Sequence, residues 1–172
     1  MNMQWIAQVF GIMAMVALFS VYQQEERKKL LRSKLIADVC WVIHYLCLGA
    51  MGGLIPNFVG IFRELVFINR DKKKWASANF WPVLFIAINW GMALVSTKEL
   101  LDYLPVCAST FVTISLWLRK PKLTKLILAP VCMTFLIYDI FVGSWAGVLN
   151  ESISLVSIGI SFVKGAVKKR EE

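Results

Sequence analysis

The chain has 172 residues, 58% of them hydrophobic and 17% charged, and its mean hydropathy of +0.64 is too apolar for an ordinary soluble domain. About seven membrane spans of roughly 20 residues each would use up this length, which excludes a further soluble domain. The formal charge of +8 would point to nucleic acid in a soluble protein, but in a membrane chain basic residues first report loops and orientation, and nucleic acid is not an expected partner.

The opening MNMQWIAQVFGIMAMVALFSVY has no basic n-region and no small-residue cleavage site, so a retained helix is expected over 3–22. The second span, 36–52, contains WVIHYLCLGAMGG, where His44 and Tyr45 interrupt an apolar run and share a helix face with Trp41 and Leu48. The third, 55–69, places Asn57 and Glu64 seven residues apart on nearly one face. Arg63 points about 100° away from Glu64, which is therefore not expected to face it, leaving Arg63 as an anion ligand or a buried salt-bridge partner. Asp38 and Asp102 lie near span ends and are expected at the interface. The remaining spans are 79–97, 100–118, 126–142 with FLIYDIFVGSWAG at its end, and 146–163. Pro105 and Pro130 mark candidate hinges in the fifth and sixth, because neighbouring helices re-satisfy carbonyls freed by a membrane proline.

Ionisable and strongly polar groups inside spans are costly and call for a partner or a water-filled cavity. The candidates are His44, Tyr45, Asn57, Arg63, Glu64, Tyr138, Asp139, Asn150 and Glu151. One His and four Cys without a CxxC pair give no metal-site pattern, and no P-loop, GxSxG or GxGxxG is present. No metal, cofactor or enzymatic activity is expected.

A constant offset of 94 relates Gly49 to Gly143, Gly53 to Gly147, Ile43 to Ile137, Lys28 to Lys122 and Ala14 to Ala108. Spans 1–3 then superpose on spans 5–7, matching His44 with Tyr138 and Tyr45 with Asp139. A three-span unit ends on the side opposite its start, so a second copy in the same orientation needs one extra crossing, supplied by span 4. The expected architecture is an all-α membrane protein of seven helices in a 3+1+3 parallel-repeat, SWEET-like arrangement. It divides into repeat A over 3–70, a linker helix over 78–97, repeat B over 98–164 and a basic tail over 165–172. Of 19 Lys and Arg, 17 fall in four segments on one side, the exceptions being Lys98 and Arg63. The positive-inside rule puts that side in the cytoplasm, with the N-terminus outside and the tail inside.

WIAQVFGIMA, the EERKK loop, VIHYLCLG with its Gly-rich turn, VGIFRELVF, ELLDYLPV and the late YDIFVGSWAG stand in an order that resembles the YgjV-type bacterial inner membrane proteins over nearly the whole chain. That family is in turn distantly similar to the MtN3/SWEET and PQ-loop superfamily of carriers and a cargo receptor, although no Pro-Gln pair occurs here. The resemblance implies a multi-pass protein of the bacterial inner membrane. The expectation is a carrier of a small polar solute working by alternating access between two three-helix bundles. Its rival is a non-transporting, receptor-like or scaffold protein. The expected partners are the lipid bilayer and an unidentified small solute, with a homo-oligomer left open.

Overall fold

The computed structural model describes residues 3–23, 26–118 and 121–171, and they form seven α-helices. These are α1 (Met3–Gln23), α2 (Arg27–Leu48), α3 (Met51–Asn69), α4 (Phe80–Ser96), α5 (Tyr103–Leu118), α6 (Pro121–Val142) and α7 (Trp145–Glu171), with 3-10 turns at Lys74–Ser77 and Leu100–Asp102. Met3–Ser20, Met51–Asn69 and Leu100–Leu118 are long and apolar enough to cross a membrane, and Phe80–Ser96, Ala129–Val142 and Trp145–Ile160 are shorter apolar helices.

The helices are longer at their basic ends than hydropathy suggests. Helix α2 starts at Arg27 rather than 36, α6 at Pro121 rather than 126, and α7 continues to Glu171 instead of giving way to a tail at 165. Lys and Arg are good helix formers, so a charge run ends an apolar window without ending a helix. A proline at the first position of α6 costs little, since that N–H has no intrahelical acceptor in any case. The basic segments at 119–125 and 164–172 lie outside the residues whose side chains are described.

Two helices terminate in one way. Gly49 follows α2 with φ 69°, and Gly143 follows α6 with φ 68°, the left-handed conformation that glycine adopts without a Cβ penalty. Past each glycine the next N–H returns to the helix, from Ala50 to the Tyr45 carbonyl at 2.9 Å and from Ser144 to the Asp139 carbonyl at 2.8 Å. Donors, acceptors and glycines all correspond at the offset of 94. Pro105 falls in the first turn of α5, where it interrupts no ladder bond, whereas Pro56 and Pro130 lie inside α3 and α6. Helix α3 already begins at Met51, before the expected 55.

Helix α2 packs along both α1 and α3, and α6 along both α5 and α7. Between these triads α1 meets α7 and α3 meets α5, while α4 lies against α3 and α5. One core cluster gathers Leu31, Ile55, Val59, Phe67, Phe85 and Val106, and a second gathers Ala14, Ala37, Trp41, Tyr45, Tyr138 and Ala146. Polarity runs inside out. Trp5, Val95 and Leu100 are 72%, 88% and 84% exposed, while His44, Glu64, Asp38 and Arg63 are 3% exposed or less. An apolar exterior over a polar interior is what a chain folded in lipid requires, because water is not there to solvate internal charges.

Candidate functional site

The polar interior has three layers along the helix axes. The first lies at the end carrying the Gly49 and Gly143 turns. His44 on α2 bonds through Nδ1 to the Ala7 carbonyl at 2.6 Å and through Nε2 to Ser144 Oγ at 2.7 Å. A carbonyl only accepts, so Nδ1 carries a proton, and both ring nitrogens are satisfied. The Tyr45 hydroxyl donates to Asp139 Oδ1 at 2.7 Å, joining two residues 94 apart in sequence.

Tyr138, the counterpart of His44, accepts from the Gly53 N–H at 3.0 Å and donates to Asp102 Oδ1 at 3.2 Å. Gln8 on α1 donates to the Gly143 carbonyl at 3.5 Å and accepts from the Ala146 N–H at 3.1 Å. Gly53 leaves room for the Tyr45 ring, and Gly147, its equivalent, for the Asp139 carboxyl; a Cβ at either would overlap that group. The bonds of this layer tie one triad to the other, except His44 to Ala7 and Tyr138 to Asp102, which lie within one.

The second layer is a cavity of about 130 Å³ between the triads. Tyr45, Asn57, Asn150 and Glu151 line it, together with Lys34, Asp38, Cys132 and Ser154, and Trp41 and Phe135 supply aromatic wall. All helices except α4 contribute. Asn57 Nδ2 donates to the Gly53 carbonyl at 2.7 Å, and Asn150 Nδ2 to Glu151 Oε1 at 2.8 Å. Asn57 and Glu151 are themselves 94 apart, so this pair also occupies equivalent positions.

The third layer lies toward the basic end and holds four charges. Lys34 Nζ reaches Asp38 Oδ1 at 2.8 Å and Glu64 Oε1 at 3.5 Å. Arg63 grips Glu64 with two bonds, Nε to Oε2 at 3.0 Å and Nη2 to Oε1 at 3.2 Å, and its Nη1 reaches Thr113 at 2.9 Å and Ser109 at 3.3 Å on α5. Among the described residues Asp38 Oδ2 has no hydrogen-bond partner, and it rests over Gly60, the only residue type that leaves it space there. Farther out, the Arg70 guanidinium caps the Trp117 carbonyl at 2.7 Å and lies 3.4 Å from the centre of its ring, a cation–π contact. At that surface Lys28 is crowded by Lys72 and Arg32, and their like charges lower its pKa.

Two sequence expectations are corrected. Arg63 and Glu64 are direct partners, because the long arginine side chain curls back along the helix to its neighbour and overrides the 100° separation of their Cα–Cβ directions. Asp38 is 1% exposed and not interfacial, because α2 continues for more than two turns beyond it toward the basic end. Of the candidates, Tyr45, Asn57, Asn150 and Glu151 meet at the cavity, while His44, Tyr138 and Asp139 stand in the layer on one side and Arg63 and Glu64 on the other. Lys34, Asp38, Cys132 and Ser154 were not among them. The i, i+4 spacing of Lys34 and Asp38 was their available signal.

An all-helical fold with an apolar exterior and buried, mutually paired charges defines an integral membrane protein. The chain belongs to the YgjV family of bacterial inner membrane proteins, whose family model matches residues 5–169. No curated protein and no solved structure matches it.

Proposed function

We propose that the protein is a carrier of a small polar solute, not an enzyme, with seven spans in a 3+1+3 arrangement, an N-terminus outside and a C-terminus in the cytoplasm. The observation that carries the reading is the partly open cavity between the triads, where Lys34, Asp38, Asn57, Asn150 and Glu151 are set in a largely apolar wall, to which the six helices of the two repeats contribute and α4 does not. The reciprocal contacts support a twofold relation along the membrane normal, since exchanging the repeats turns the α1–α7 contact into α5–α3. The same plan is that of SWEET-type carriers.

In this reading the Tyr45–Asp139 and His44–Ser144 bonds close the periplasmic side, and solute reaches the cavity from the cytoplasm. Opening the other side breaks these inter-triad bonds and closes the basic end, a rocking of one triad against the other. The scaffold alternative draws on the saturation of His44, Tyr138 and Arg63 by protein partners, which gives each a complete structural role.

Solute counterflow in proteoliposomes tests the choice. A carrier gives counterflow with some small polar solute, and Asn57→Leu, which fills the cavity with an apolar side chain, abolishes it while the protein stays folded. Absence of counterflow across sugars, amines, amino acids and nucleosides would favour the scaffold.

A further inference from the structure

Within the carrier reading, on which this inference rests, the charge balance at the cavity narrows the solute. Three carboxylates, Asp38, Glu64 and Glu151, stand in or directly beneath it against two cations, Lys34 and Arg63. Both cations are already engaged. Arg63 is held by both oxygens of Glu64 and by two hydroxyls of α5, and Lys34 is shared between Asp38 and Glu64. Glu151 forms no ion pair within 4 Å among the described residues; its close neighbours are the Asn150 amide and the Cys132 thiol, with Lys34 acting on it only at longer range. Asp38, almost wholly buried, keeps one oxygen without a hydrogen-bond partner among the described residues. An anionic solute would meet this excess with no free cation among the described residues to receive it, and a neutral one would leave the excess to be removed by proton uptake, whereas a cation compensates it directly.

The remaining wall suits an organic cation better than a metal ion. Trp41 and Tyr45, stacked with ring centroids 5.6 Å apart, and Phe135 add aromatic surface of the kind that attracts ammonium groups. No group of three or more His, Cys, Asp or Glu among the described residues is arranged to hold a metal. The volume of about 130 Å³ suits a solute group of around the size of benzene, which occupies an engineered cavity of roughly 150 Å³.

We propose that the cavity binds a small organic cation carrying one ammonium group, with Glu151 as its charged ligand and the Asn57 and Asn150 amides beside it. Lys34 is then a positioning residue that holds Asp38 and Glu64 in place and keeps a solute carboxylate from being needed.

Calorimetry on the purified full-length protein in detergent, with propylammonium, 1-propanol, propionate and glycine as probes, tests the assignment. Propylammonium binds, the other three bind at least tenfold more weakly or not at all, Glu151→Gln weakens propylammonium by roughly tenfold or more, and Glu151→Asp holds it within a few-fold of wild type, as expected for hydrogen bonds to a charged group. Equal or tighter binding of propanol, propionate or glycine overturns the assignment, as does propylammonium binding undiminished in a folded Glu151→Gln protein. Should that variant fail to fold, the comparison of probes on the wild type still decides. Counterflow of a neutral solute without propylammonium binding sinks this inference and leaves the carrier reading intact. Selective propylammonium binding without counterflow of any solute does the reverse.

Discussion

Replacing Arg63 by Leu removes the guanidinium that holds Glu64 with two bonds and reaches α5 through Thr113 and Ser109. Glu64, fully buried, is left with Lys34 at 3.5 Å as its remaining ionic contact, and Lys34 is already drawn closer to Asp38 at 2.8 Å. Removing one partner of a buried pair strands the other charge and costs about 3–5 kcal/mol. For a chain of this size each kcal/mol shifts the melting temperature by about 2–4 °C, so the variant should melt roughly 6–20 °C lower in a fixed detergent. The double variant Arg63→Leu/Glu64→Leu removes both charges and should recover at least half of that loss, because replacing a whole buried pair with apolar groups is close to neutral. The assay is thermal unfolding of the two single variants, the double variant and wild type at matched detergent. A double variant as unstable as the sum of the singles would refute the reasoning, since it would mean that the two side chains act independently.

Ser144→Ala should cost about 1–3 kcal/mol by leaving His44 Nε2 buried without a partner, whereas Ser152→Ala on the exposed face of α7 should fall within about 0.5 kcal/mol, both read by thermal unfolding. Gly53→Ala and Gly147→Ala should each destabilise by about 1–3 kcal/mol, because the new methyl meets the Tyr45 ring or the Asp139 carboxyl, while Gly91→Ala, with open space around it, should be neutral or slightly stabilising. Topology is checked by an N-terminal tag digestible by periplasmic protease and a C-terminal green fluorescent protein that fluoresces; protection of the former or darkness of the latter would contradict the proposed orientation.

Much of the architecture was legible because it depends on backbone rules. Gly49 and Gly143 stand out in sequence as turn glycines 94 apart, and both adopt the left-handed conformation that ends a helix. The same offset aligned Tyr45 with Asp139, and those two side chains share a hydrogen bond. The charged layer was less legible. Hydropathy stops at Lys34, which hid that α2 runs on to Arg27 and carries Asp38 into the interior. Angular spacing on a helical wheel ignores the reach of arginine, so the Arg63–Glu64 pair was missed. Gln8 gave no signal among the amides of an apolar helix; its bonds to Gly143 and Ala146 show its role, and its offset partner Asp102 packs on Gly52 in the corresponding place.

Alternating access between the two triads makes one direct geometric demand. Leu46 and Ile140 are equivalent positions, each more than half exposed, one residue past Tyr45 and Asp139 at the end those residues bridge. Spin labels at 46 and 140, on a background without the native cysteines, report the separation of α2 and α6 by pulsed electron resonance in lipid. The account predicts a short distance matching the bridged state together with a longer population that grows when Tyr45→Phe removes the hydroxyl. A single unchanged distance in the wild type and in Tyr45→Phe would contradict it and leave the polar interior with a purely structural role.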